Sequence, residues 1–298
     1  MTGATGFVGH AVLPLLNDRG FEVHVVSRAG DKRASKDPAQ PLHRTDLFNR
    51  QEVTQLLDSV KPTHLLHLAW ITTPGKYLQS TENLLWLQHS LFLVESFAAA
   101  GGKRTVITGT CLEYDLSDGV LDEESTPLRP ATPYGAAKLG LHTALQQSAA
   151  DLGISVGWAR LFFLYGPYER PERLVPYVIS QLLKGEPAEV TAGRQERDYL
   201  HVRDAAEAIT AFLDADDEGA LNVGSGRTVP VGRIVDTVGD IIGRPDLISR
   251  RVRSGSEEEA AVIQADITRL RRLLDWSPSI DLEEGLRETV EWWRKNPA

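Results

Sequence analysis

Strand-like and helix-like segments alternate along the first half of the chain, and this alternation restricts the fold more than any other feature. "FEVHVVSR" (residues 21–28) is rich in β-branched residues and reads as a strand. "PLHRTDL", "THLLHLAW", "RTVITGT" and "ISVGWARLFFLYGP" follow as further strand-like runs. Helical patterns separate them. "GHAVLPLLNDRG" carries apolar Val12, Leu13, Leu15 and Leu16 and stops at Gly20, and "NRQEVTQLLDSV" starts on Asn49 as N-cap. Longer helices are predicted over 81–100 and 133–151. Strands alternating with helices of this length close as βαβ units, so the fold class is α/β with a parallel sheet covered on both faces.

Composition removes several classes of function. The chain has 298 residues, enough for one large or two modest domains. Its net charge of -9 lacks the basic footprint that nucleic-acid binding needs. A single cysteine, Cys111, excludes an internal disulfide framework and a cysteine-rich zinc site, and it fits a cytoplasmic protein. No run approaches the ~20 apolar residues of a membrane span, and no basic-then-apolar leader follows Met1. The histidines show no metal-ligand spacing, so no metal is expected. His64 and His67 lie three apart on a predicted strand and so face opposite sides. His201 reads as structural, and Trp292-Trp293 as one ring packed inward from a terminal helix that Asp281 caps.

"MTGATGFVGH" places Gly3, Gly6 and Gly9 at G-x-x-G-x-x-G spacing. Glycines in such a turn let backbone N–H groups approach a pyrophosphate, with the next helix aimed at it. Alone the signal is weak, but the helix and the strand at 21–28 give it a context. That strand ends in Ser27-Arg28, with Lys32 and Arg33 close behind and no acid before Asp31. A hydroxyl and a guanidinium suit the 2′-phosphate of NADP better than the free ribose of NAD, which stays the alternative. "PYGAAK" sets Tyr134 and Lys138 at i and i+4, one turn apart on one helix face. An ammonium beside a phenol lowers the phenol's pKa, and such a tyrosine can exchange a proton with a carbinol. The spacing alone is common.

Taken in order, these motifs resemble the extended short-chain dehydrogenase/reductase family of nucleotide-sugar epimerases, dehydratases and ketoreductases. "TGATGFVG" matches the family's glycine loop, with Gly3, Thr5, Gly6, Phe7, Val8 and Gly9 at the cofactor. "TDL" supplies Asp46 and Leu47 beside the adenine. "HLAW" brings Leu68 and Ala69 to the cofactor. "ITGTCLEYD" puts the catalytic hydroxyl on Thr110, and "YGAAK" is the catalytic pair. "RLFFLYGP", "RDYLHVRDAAEA", "NVGSG" and "LLDWSPSIDLEEGLRETVEWW" follow in the family's order.

The resemblance implies a Rossmann-type doubly wound sheet with a small C-terminal α+β substrate lobe. Residues 1–166 plus 195–228 would form the dinucleotide domain, and 167–194 plus 229–298 the lobe. Tyr134 would be the acid/base, Lys138 would lower its pKa and hold the nicotinamide ribose, and Thr110 would bind the reacting oxygen. Arg197 would grip a nucleotide-sugar pyrophosphate. Phe163 stands where the family often has a phosphate-contacting Asn. The helices at 81–100 and 133–151 could build a homodimer.

Cys111 and Leu112 replace the Asp-Glu pair that follows the catalytic Thr in 4,6-dehydratases, so dehydration is not expected. Cys111 reads as a small buried filler. The expected activity is reduction of a 4-keto nucleotide sugar. The alternatives are a C4 epimerase that retains NAD, and a non-catalytic NADP-binding regulatory protein on the same fold. One expected piece is missing. The family's glycine loop follows a central apolar strand, and here Met1 leads straight into it. A valine GTG codon read as a bacterial start would produce this "MTGATG", so the chain is expected to begin late.

Overall fold

In a computed structural model the described residues are 1–30, 40–251 and 260–297. Asp31, Lys32, Arg33 and residues 254–259 of the Ser/Glu-rich stretch lie outside them. The first half contains α1 (Phe7–Asp18), β1 (Val25–Ser27), β2 (Leu42–Arg44), α2 (Arg50–Val60), β3 (His64–His67), α3 (Glu82–Ala99), β4 (Arg104–Thr110), β5 (Val120–Leu121) and α4 (Pro133–Leu152). Next come β6 (Ser155–Leu161), β7 (Phe163–Tyr165), α5 (Leu174–Lys184), β8 (Ala188–Val190), β9 (Glu196–Arg197), β10 (Tyr199–His201) and α6 (Val202–Asp214). The chain closes with β11 (Gly219–Val223), β12 (Val229–Pro230), α7 (Val231–Ile242), β13 (Ile248–Arg250), β14 (Val262–Ala265), α8 (Thr268–Leu274) and α9 (Leu282–Lys295).

The main sheet is parallel and runs β2-β1, then Thr2, then β3-β4-β6-β11. Thr2 bridges Val26 on one side and His67 on the other. Its N–H donates to Leu66 O at 2.9 Å, and Met1 O accepts from Val26 N at 2.9 Å. Counting this short segment as the first strand gives the doubly wound dinucleotide-binding order 3-2-1-4-5-6, with β11 added as a seventh strand beside β6. The strand order reverses at Thr2, so the loop leaving it opens into the crevice where such folds bind ligands. Where a full central strand was expected, Met1 and Thr2 alone make the bridges. β1 accordingly covers Val25–Ser27 rather than the predicted 21–28, because ladder partners reach only those residues.

Alternation on the strands sorts the core. Val106 of β4 packs with Val12 and Leu16 of α1 and Ile209 and Phe212 of α6 on one face. Ile107 and Trp158 meet Val53 of α2, Phe97 of α3 and Leu141 and Leu145 of α4 on the other. Full burial of each Leu- or Phe-sized side chain stabilises the fold by ~1.5–3 kcal/mol. A separate core joins Ile179 and Leu182 of α5, Ile234 and Val238 of α7, and Leu286, Val290 and Trp293 of α9. This second core lies in the predicted substrate lobe. There β8 pairs β13, while β9 and β14 join β5 in a mixed sheet. Among the described residues no helix is long and apolar enough to cross a membrane.

Candidate active site

The glycine loop is fixed by close approach. Gly3 has φ +74, and a Cβ there would stand 2.8 Å from Ala69 N and from Leu68 C. A Cβ on Gly9 would overlap Gly3 O and lie 2.6 Å from Ala4 Cα, so only glycine lets α1 pack on the turn. Gly6 N donates to Gly3 O at 3.0 Å and closes it. α1 starts on Gly6 without a side-chain cap, so its first-turn N–H groups have neither intrahelical nor capping partners. Gly3, Thr5, Gly6, Phe7, Val8 and Gly9 all line one cleft of about 1210 Å³. An uncapped helix start on a cradle with no room for side chains fits a dinucleotide pyrophosphate.

From this loop the cleft runs in two directions. Ser27, Arg28, Asp46 and Leu47 line one end. The register sets Ser27 opposite Arg44, whose guanidinium donates to Ser27 Oγ at 2.8 Å and to Arg28 O at 3.1 Å. Arg44 thus adds a basic group that only the strand pairing reveals. Asp46 accepts from Phe48 N at 3.0 Å, which shapes the turn into α2. Leu68 and Ala69 pass beneath Gly3 towards the other end.

That other end holds Thr110, Tyr134 and Lys138 together. Thr110 closes β4, Tyr134 and Lys138 sit on the first turns of α4, and Thr132 caps α4 by accepting from Gly135 N at 3.1 Å. Tyr134 and Thr110 line the same stretch of the cleft. Lys138 Nζ donates to Thr108 O at 2.7 Å and sits 3.8 Å from the centre of the Trp70 ring. Burial pushes the Tyr134 phenol upward, Tyr77 and Glu113 add to this, and Thr110 opposes it. Burial also pulls Lys138 down to about 7, against the attraction of Glu113. The phenol's rise runs opposite to the lowering expected from Lys138, whose ammonium is directed at the Thr108 carbonyl and the Trp70 face.

Glu113 is a residue that the motif did not announce. Its side chain is fully buried, accepts from Thr110 N at 2.8 Å and pairs with Arg160 Nε at 2.8 Å. Trp158 Nε1 donates to it at 3.0 Å. Its partners come from β6, far along the chain, so its role was visible only in the fold. Cys111 is buried, and burial, followed by Asp198 and Glu113, pushes its thiol up to about 12. No carboxylate pair follows Thr110: Cys111 and Leu112 line the cleft there.

On the lobe side the wall is formed by Phe163, Tyr199 and the segment after β7, including Tyr168, Glu169, Arg170 and Arg173. Arg197 stands behind this wall, buried. It donates to Glu196 O and Ala260 O at 2.8 Å each, with its guanidinium 5.7 Å from the Phe163 ring centre. Trp293 packs inward and Trp292 borders the cleft. His67, buried, is hydrogen-bonded to Thr2 Oγ1 and Ser90 Oγ and ties the switch point to α3.

Residues 1–224 match the family described as NAD dependent epimerase/dehydratase family. The chain belongs to that family. It is an enzyme chain of the NAD-dependent short-chain dehydrogenase/reductase type. It is 25% identical to a UDP-glucuronate 4-epimerase of Thermodesulfobacterium geofontis, over 99% of this chain and 96% of the relative. The solved structure of MoeE5 in complex with UDP-glucose and NAD is 30% identical, with a TM-score of 0.84, covering 100% of this chain and 98% of MoeE5. The Thermus thermophilus UDP-glucose 4-epimerase complex with NAD is 26% identical, with a TM-score of 0.85, covering 98% and 97% of the two chains.

Proposed function

We propose that this enzyme epimerises a nucleotide sugar at C4 with a retained NAD. The observation that carries this reading is the juxtaposition of Thr110, Tyr134 and Lys138 on one cleft that continues from the glycine cradle and has Cys111 and Leu112 next to Thr110. That constellation can exchange a proton with a sugar oxygen, but it lacks the carboxylates for eliminating water. The names of the relatives, two of them 4-epimerases, support the same choice. The sequence reading put the 4-ketoreductase first, and the comparisons favour its alternative.

The bound dinucleotide supplies the hydride acceptor and donor. The chain supplies the rest. Gly3, Gly6 and Gly9 admit the pyrophosphate, Ser27, Arg28, Asp46 and Leu47 hold the adenosine half, and Leu68 and Ala69 border the path between the halves. Tyr134 moves the proton at its phenolic oxygen, and Thr110 fixes the sugar oxygen beside it. Lys138 steadies the ribose while Glu113 keeps Thr110 in place from below. Phe163 borders the nucleotide-sugar side, and Arg197 supports that wall from behind. Exposed Leu84 and Leu85 on α3 fit a homodimer.

NADPH-dependent reduction of a 4-keto nucleotide sugar is the second reading, and the Ser27, Arg28 and Arg44 cluster at the ribose end favours it. Native purification followed by heat release and assay of the nucleotide separates the two. The epimerase reading expects stoichiometric NAD and interconversion of UDP-glucose or UDP-glucuronate without added cofactor. Tyr134→Phe should lower that rate ~100-fold or more. Protein free of NAD that consumes NADPH with a keto sugar, and loses this in Arg28→Ala, would establish the reductase instead. Cofactor binding with neither turnover would leave a non-catalytic binding protein.

A further inference from the structure

Trp70 stands just past β3, at the end of the Leu68-Ala69 stretch that passes beneath Gly3. It is buried, and α3 holds its ring in two ways. Nε1 donates to Asn83 Oδ1 at 2.8 Å, and the ring stacks on Trp86 with centroids 5.9 Å apart. Asn83 is itself buried, and its Nδ2 donates to Tyr77 O at 2.7 Å and to Ser80 O at 2.8 Å. The orientation of the indole is therefore fixed. The same Asn83 anchors the segment whose Tyr77 ring meets Tyr134 edge-on at 4.9 Å. One buried amide thus braces a neighbour of each member of the Tyr134–Lys138 pair.

The fixed ring presents its face to Lys138, whose Nζ lies 3.8 Å from the ring centre. Lys138 is buried, and its Nζ donates to Thr108 O at 2.7 Å. A buried ammonium needs compensation on every side that has lost water. An indole face is the best aromatic partner for a cation, and it offers little to a neutral amine.

We propose that Trp70 is a positioning residue for Lys138, its locked face holding the ammonium in its charged form beside the Thr108 carbonyl. This inference rests on the reading of Lys138 as the cation of the site. The face works against burial, which pulls Lys138 down to about 7. The other groups around the ammonium are Glu113, His67 and Tyr134. Glu113, on the turn after β4, attracts it and is held in its ion pair with Arg160. His67 of β3, pushed down to about 3, is neutral above that value, and burial drives the Tyr134 phenol upward.

NMR of protein labelled with 13C at lysine Cε follows the titration of Lys138, with Lys138→Met identifying its signal. Wild type, Trp70→Phe and Trp70→Leu are compared between pH 5 and 10 with saturating NAD. Trp70→Leu should lower the Lys138 midpoint by ~0.5–1.5 units, because the face stabilises the charged form alone. Trp70→Phe keeps a face and should fall by less. The basic limb of kcat for UDP-glucose interconversion should move with the midpoint. An unmoved midpoint, with changes in thermal stability or KM alone, would make Trp70 a packing residue and overturn the proposal. So would a raised midpoint, which would show that the ring acts by excluding water from the ammonium. A Trp70→Phe midpoint as low as that of Trp70→Leu would assign the effect to the lost Asn83 bond and overturn the role of the face. If Trp70→Leu does not fold, Trp70→Met, which fills more of the space without a face, takes its place with the same expectation. The titration needs no turnover. The expected shift in a protein that does not convert UDP-glucose would support the hold of Trp70 on Lys138 and overturn the functional reading.

Discussion

Lys138 is held as a base whose proton is easily lost. The unfolded lysine titrates near 10.5 and the folded one near 7. Between these values the unfolded chain binds more protons, so stability rises with pH across the window. Below pH 7 the full cost of burying the ammonium is present, and above 10.5 it is gone. Lys138→Met removes that cost at every pH. It also removes the bond to the Thr108 carbonyl, which is an offset independent of pH. The stability gap between the variants should therefore move steadily in favour of wild type as pH rises from 7 to 10. It should be flat below 7. Cys111 begins to titrate near the top of this range but does so in both proteins and cancels, and His67, pushed down to about 3, stays neutral throughout. Thermal unfolding of both proteins at each pH measures the gap, and parallel curves would show that Lys138 keeps an ordinary pKa.

At the scale of elements, β4 hands over to a turn at Cys111–Glu113 that is anchored through Glu113 to β6. The Glu113 and Arg160 side chains are 0% and 1% exposed. Removing one charge of such a pair strands the other, at a cost of about 3–5 kcal/mol. Urea unfolding of Glu113→Gln should show a loss of this order, and a Glu113→Leu, Arg160→Leu double variant should recover part of it. An equal loss in single and double variants would show that the pair is not coupled. Elements also differ in how far the sequence exposes them. Helix starts were legible, because a cap is a local arrangement. Asn49 accepts from Gln51 N and Glu52 N, and Asp281 accepts from Glu284 N. The ends of β1 were not legible, because a ladder extends only where Met1, Thr2 and Leu42–Arg44 reach. The site divides along the same line. The spacing of Tyr134 and Lys138 on one helix could be read directly. Trp70 against Lys138, Arg44 against Ser27, and Glu113 under Thr110 arise from strand register and packing. The phenol's upward shift follows from burial, which residue spacing does not report.

Across the whole molecule, three distant parts meet at the cleft mouth. His10 comes from α1, Tyr168 from the loop after β7, and Trp292 from α9. Tyr168 stacks on His10 at 4.1 Å and meets Trp292 at 4.8 Å between centroids. The contact thus links the glycine-loop helix to the core that α9 shares with α5 and α7. On the proposed reading the enzyme keeps its cofactor through many turnovers and needs a slow exit, and the three rings of this bridge line the cleft through which a cofactor would leave. Each aromatic pair contributes ~0.5–1.5 kcal/mol beyond area burial. Losing the bridge should therefore speed cofactor release by roughly 2- to 12-fold per contact. Tyr168→Ala should release NADH faster in stopped-flow displacement followed by nicotinamide fluorescence, and Tyr168→Phe should keep the wild-type rate. Tyr168 is half exposed, at 50%, so neither change should shift the unfolding temperature much. If Tyr168→Ala releases NADH at the wild-type rate, the bridge does not hold the cofactor, and retention must come from the glycine cradle and the Ser27–Arg44 end alone.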